Sequence, residues 1–218
     1  MHTTTQYSKA PFETKGWERE EHFHFFRAFA QPFFNVHTEV DITNLYHYAK
    51  QEKLSIFLAY LHAATEGINA TENFLLRLEG DGVVKYEGAD ISTTVLKDNK
   101  TVSFVHLPHH ADIHTFCATA SDIMAAVKKS NKLFYGYSGP DVVHATTLPW
   151  FKLNGMEHAH ANDPSDSIPK LAFGRLEFRN DQVILPLSVR VHHALVDGYH
   201  IHLFLEHMKA SINALGNV

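Results

Sequence analysis

The sequence holds a single cysteine, Cys117, among 218 residues. No disulfide can form within the chain, and a reducing compartment is the expectation. It has no run rich in lysine or arginine, and 19 basic against 24 acidic side chains give a formal net charge of −5. Neither nucleic acid nor an acidic membrane surface is therefore expected as a partner. Long apolar runs are missing too: the stretch from Ile56 to Ala64 is too short to span a bilayer and is interrupted by His62. The first twenty residues are polar, with no apolar segment of the kind a secretory leader needs, so the expected location is cytoplasmic. No internal repeat or linker divides the chain. With 44% hydrophobic and 20% charged residues, it fits one domain, residues 1–218, around one sizeable core.

What the sequence has in excess is histidine, 18 in all. Several come in pairs: His109 with His110, His158 with His160, and His200 with His202. Paired imidazoles can bind zinc, but a site needs three or four converging ligands. There is no cysteine partner and no His-Glu-x-x-His pattern, so no metal is expected.

Periodicity outlines the elements. Thr43 to Lys53 and Ser55 to Asn69 read as consecutive helices, the second with Ser55 as N-cap. Phe74 to Leu78 and Val83 to Tyr86 flank Gly80-Asp81-Gly82 and predict a hairpin. Strands fit Ser92 to Leu96, Thr101 to His106, Val142 to Thr147 and Leu171 to Phe178, and Ala111 to Lys129 is helical. Cys117 falls in that helix and reads as a small buried hydrophobe. This succession predicts a mixed α/β domain with one large central sheet flanked by helices.

The stretch richest in chemistry is Gln182 to Leu205, QVILPLSVRVHHALVDGYHIHLFL. Val183 to Val191 is β-branched and aliphatic and predicts a largely buried strand. It runs into His192 and His193. Asp197 and Gly198 follow, then a helical pattern through Ile201, Leu205, Met208, Ile212 and Leu215, with Asp197 placed to cap it. A histidine at the end of a rigid strand, before a tight turn, is well positioned for reaction.

The block from Ile184 to His200, with its His-x-x-x-Asp-Gly motif, resembles that of the chloramphenicol acetyltransferases and, more distantly, the dihydrolipoyl acyltransferase cores of 2-oxoacid dehydrogenase complexes. WEREEHFHFF at Trp17 to Phe26, VDIT at Val40 to Thr43, KLF at Lys132 to Phe134 and TLPW at Thr147 to Trp150 are similar to the same family in order and spacing. The absence of a lipoyl or subunit-binding region before the core sets the second comparison aside. The resemblance implies an acyltransferase moving the acetyl group of acetyl-CoA, a co-substrate, to a hydroxyl of chloramphenicol. It also implies a homotrimer with active sites at subunit interfaces.

Moving an acetyl group from a thioester to a hydroxyl needs a base for the hydroxyl proton and a donor for the tetrahedral oxyanion. Imidazole, with an ordinary pKa near 6.5, suits the first role at neutral pH. The resemblance implies His193 as the base, oriented by its own backbone, with His192 as a strand-end residue. Thr146 falls where the family has an oxyanion-binding serine, although its residue type alone is equally that of a strand threonine. Arg19 falls on the arginine that pairs with the motif aspartate, here Asp197, as a structural anchor. Lys53 and Arg175 fall on positions facing coenzyme A, where Lys53 could as well be a solvated surface lysine. In the acceptor pocket Phe26, Val102, Met156 and His158 replace the residues of the best-known members, as does Pro32. Several such changes together reshape selectivity. A different hydroxylated acceptor, or a member without catalysis, are the alternatives.

Overall fold

The computed structural model describes residues 6–159 and 163–215. Its centre is strand β11 (Gln182–His192), buried at ten of its eleven positions. A strand buried on both faces reads as a continuous apolar run rather than an alternating one, and ILPLSVRV is such a run. One edge of β11 pairs along its length with β2 (Phe33–Asp41), from Ile184–Asp41 to His192–Phe33. The other edge is shared by β9 (Lys170–Phe173) and β10 (Glu177–Arg179). The sheet continues from β9 through β8 (Val142–Thr147) and β5 (Asp90–Leu96), both in parallel pairings, to β6 (Val102–Leu107) and the two-residue β7 (Phe134–Tyr135).

The strand expected over Leu171 to Phe178 is two strands separated by Gly174–Leu176. Pro186 of β11 lies level with this break: the Gly174 N–H donates to its carbonyl, and the Arg175 N–H turns away to Phe151. A proline cannot donate to a ladder, so an interior strand tolerates one where its neighbour is interrupted.

Helices α2 (Thr43–Gln51), α3 (Ile56–Asn69), α4 (Ile113–Lys128) and α5 (Gly198–Leu215) cover one face of the sheet. Ser55 and Asp112 cap α3 and α4 through their side chains. Ile91, Val105, Val143, Leu171, Val189 and Val191 point into the core shared with Leu61, Ile68, Phe204 and Met208. The α3–α5 contact is close: a Cβ on Gly67 would lie 3.0 Å from the Phe204 carbonyl oxygen and 3.1 Å from the Met208 Cβ. Among the described residues no helix is long and apolar enough to cross a membrane.

A second, three-stranded sheet joins β1 (Lys9–Phe12), β4 (Gly82–Tyr86) and β3 (Leu76–Glu79). The expected hairpin turns at Gly80-Asp81, but Phe74 and Leu75 belong to a preceding 3-10 turn, Glu72–Leu75. Ahead of β1, Tyr7 ties this edge to the large sheet. Its hydroxyl donates to Asp90, 2.9 Å away, and its N–H to Asp141.

The face of the large sheet opposite the helices is polar along two rows that cross the strands. One runs Asn35, Arg190, Lys170, His144, Ser92, His106; the other begins His37, Ser188, Ala172, Thr146. The second row continues to Thr94, whose hydroxyl lies 3.1 Å from that of Thr146.

Candidate active site

His193 follows β11 directly, and its N–H donates to the Pro32 carbonyl at 2.7 Å. Helix α1 (Glu20–Arg27) brings Phe26 flat against the imidazole, with centroids 3.7 Å apart and planes 7° from parallel. Phe34 flanks the ring at 4.4 Å. Nδ1 is buried and makes no hydrogen bond, although Asp197 Oδ1 is 3.2 Å away. The expected hold by the residue's own backbone is thus replaced by two aromatic faces, which fix the ring plane without using a nitrogen. About a third of the side chain is exposed.

His192, its neighbour, is arranged for the opposite purpose. Its Nε2 donates to the Pro164 carbonyl and its Nδ1 accepts from the Ala194 N–H. Burial pushes its pKa down to about 4. Both nitrogens are occupied by backbone, so this imidazole is a neutral structural brace.

Arg19, just before α1, holds the turn between the histidines and α5. Its Nε and Nη2 each lie 2.6 Å from one Asp197 carboxylate oxygen. Nη1 donates to the Ala194 carbonyl and Nη2 also to that of His193. The guanidinium is 7% exposed and lies over the Trp17 ring. Burial raises the Asp197 pKa, but the Arg19 hydrogen bonds and charge, with His200 and His193 nearby, hold it below the usual carboxylate range. The carboxylate is therefore committed to Arg19 and does not cap α5 with its side chain. The reciprocal contact caps instead: the Asp197 carbonyl accepts from the His200 and Ile201 N–H groups, and His200 Nδ1 accepts from the Asp197 N–H.

Thr146 lies elsewhere, on the polar sheet face, in a cavity of about 430 Å³. Met156 and His158 also line it. Phe104, Phe134, Tyr135 and Tyr137 supply aromatic surface, and His144 and Lys170 supply polar groups. His193 and Phe26 are not among its lining residues within the chain, and Val102 is exposed at the start of β6. Phe26 thus lies with His193, Arg19 and Asp197 in one cluster, Thr146, Met156 and His158 line the other, and Val102 lines neither.

Lys53 is exposed beyond the end of α2, with a left-handed φ of 56° where a glycine usually ends a helix. The helix stops at Gln51, two residues earlier than expected. Arg175 is exposed where the chain leaves β9, bonded through its N–H to the Phe151 carbonyl. Trp150 and Phe151 are more than half exposed. Cys117 is buried in α4, and burial pushes its thiol pKa up to about 11. Among the described residues no three histidine, cysteine, aspartate or glutamate side chains are grouped to hold a metal ion; His160 lies outside the described residues.

A family model described as "CAT: Chloramphenicol acetyltransferase" matches residues 8–209. A chloramphenicol acetyltransferase 3 from Escherichia coli is 25% identical over 205 residues, covering 93% of this chain and 96% of its own. A solved structure of a chloramphenicol acetyltransferase superposes with a TM-score of 0.86 at 25% identity, covering 94% of this chain and 100% of its own. A probable dihydrolipoamide acetyltransferase from Listeria monocytogenes shares the fold, with a TM-score of 0.64 at 14% identity over 98% of this chain and 97% of that one.

Proposed function

Because the chain belongs to the chloramphenicol acetyltransferase family, an acyltransferase family, we propose that it transfers the acetyl group of acetyl-CoA to a hydroxyl of chloramphenicol, with His193 as general base. The observation that carries this reading is the state of the His193 ring. Stacked on Phe26 with Nδ1 buried, it leaves Nε2 as the nitrogen free to meet an incoming hydroxyl, while His192 has both nitrogens occupied.

In this mechanism Nε2 removes the hydroxyl proton as the oxygen attacks the thioester carbonyl. The tetrahedral oxyanion receives a hydrogen bond from the Thr146 hydroxyl. Collapse of the intermediate expels the coenzyme A thiolate, which takes the proton back from the imidazolium. Arg19 and the ionised Asp197 hold the turn. Lys53 and Arg175 supply cationic charge for the coenzyme's phosphates.

The separation of the two clusters favours a site completed by a second copy of the chain, His193 of one subunit facing Thr146 of the next in a homotrimer. Exposed Val102, on the strand that carries Phe104 into the cavity, and Leu133, next to Phe134, are apolar surface suited to such a contact. A buried lone thiol and an acetyl-CoA donor both fit a cytoplasmic enzyme inactivating the antibiotic.

The test is release of free coenzyme A thiol, with acetyl-CoA as donor and chloramphenicol as acceptor. His193→Ala should lower turnover by the roughly 10²–10⁴-fold of a lost general base while sedimenting as the same trimer. Turnover near that of the parent protein would remove His193 from the role.

A further inference from the structure

The cavity that holds Thr146 is unevenly built. One side is aromatic, with Phe104 and Phe134 stacked at 5.2 Å and 18° and Tyr135 beside them. The other is the polar sheet row, where His144 and Lys170 are cross-strand neighbours, with His158 approaching from the segment that follows β8. No hydrogen bond to a described residue fixes either imidazole, and His158 Nε2 is buried without a partner. A buried nitrogen left without a partner is destabilising until a ligand group meets it. Burial, reinforced by the charge of Lys170, pushes both pKa values down to about 4. At neutral pH each ring therefore offers one N–H donor and one acceptor nitrogen. Lys170, 8% exposed, donates to Asp166 and to the Ile168 carbonyl, leaving one of its three N–H groups unassigned.

An apolar acceptor gains nothing from such a wall and leaves its donors unpaired. We propose that His144, His158 and Lys170 are specificity-determining residues that bind an oxygen-bearing substituent, a carboxylate or carboxamide, on an acceptor whose flat ring packs against Phe104 and Phe134. The preferred acceptor then carries two polar ends, the hydroxyl that reacts near Thr146 and an oxygen that accepts hydrogen bonds from the polar row. This rests on the reading of the cavity as the acceptor site. It goes further in stating which hydroxylated molecules enter.

The experiment compares three benzyl alcohols of similar shape: 4-(hydroxymethyl)benzoate, 4-(hydroxymethyl)benzamide and 4-isopropylbenzyl alcohol. Calorimetry on the assembled protein gives binding, and thiol release from acetyl-CoA gives transfer. The benzoate or the benzamide should bind at least about tenfold tighter than the isopropyl compound, the worth of one or two good hydrogen bonds. That ratio should fall to near one in His158→Phe and in Lys170→Met, and should largely survive in His158→Gln, which keeps a donor and an acceptor. Since each ratio is read within one variant, loss of folded protein does not imitate it. Equal or tighter binding of the isopropyl compound, or a ratio unmoved by both variants, overturns the proposal. Oxygen preference without any thiol release supports it while removing the acetyl-transfer reading. Thiol release without preference does the reverse.

Discussion

Removing the Arg19 side chain should cost the protein both stability and turnover. The guanidinium makes four hydrogen bonds, two to the Asp197 carboxylate and two to carbonyls of the turn after β11, at 7% exposure. Arg19→Met removes the guanidinium, its place over Trp17 included, and leaves a carboxylate and two carbonyls without their donor. Breaking a buried ion pair from one side costs about 3–5 kcal/mol. Asp197, whose side chain is 30% exposed, can recover some water, which argues for the lower half of that range. For a domain of this size the loss is a fall in Tm of roughly 6–15 °C. Arg19→Lys should restore little, since an ammonium cannot reproduce the fork. Urea unfolding followed by circular dichroism gives the stability, and thiol release at a temperature where the variant is folded gives turnover. Asp197→Asn, with the double variant, completes a cycle in which the pair should show a coupling of at least about 1 kcal/mol. An Arg19→Met protein within about 1 kcal/mol of the parent and equally active would refute the anchoring argument.

Phe26→Leu should weaken the hold on the His193 ring and lower kcat more than it changes KM; unchanged kcat would show that Phe34 and the backbone suffice to hold the base. Gly67→Ala should destabilise by about 1–2 kcal/mol in urea, because overpacking against the Phe204 carbonyl outweighs the gain in helix propensity. A more stable variant would mean that α3 and α5 separate freely. His144, His158 and His192 have folded pKa values near 4, against about 6.5 when unfolded. As pH falls from 6.5 to 4 the unfolded chain therefore takes up protons first. Each ring removes up to about 1.4 kcal/mol per pH unit across that window, and urea midpoints at pH 7.5 and 5 should differ accordingly. Equal midpoints would contradict the burial argument.

The parts of the fold legible in the sequence were those written in short periods. Val142 to Thr147 has the predicted bounds, Ser55 caps the predicted helix, and β11 reads as a buried strand because it is apolar on both faces. The Arg19–Asp197 pair was reached only through the family resemblance, since nothing local links residues 178 positions apart. Other features escaped for the same reason. Asp197 looks like a capping residue until a distant arginine claims both its oxygens. The polar wall of His144, Lys170 and His158 depends on the register of strands that are not neighbours in sequence, so period-two alternation places each residue on a face without showing what stands beside it. The break at Gly174–Leu176 is likewise set by Pro186 across the ladder, which no reading of 171–178 alone contains.

The same 178-position span bears on how the protein is made. Arg19 is synthesised 178 residues ahead of the carboxylate that pairs with it, and by the time Asp197 follows every strand of the large sheet has been made. Domains form as units during synthesis, and the Arg19–Asp197 contact can close only after β11 has been made. A product ending anywhere before β11 lacks the strand that joins β2 to β9. It carries the cation without its anion and leaves both sheet edges open, so incomplete chains present themselves to proteases and chaperones instead of persisting as partly active protein.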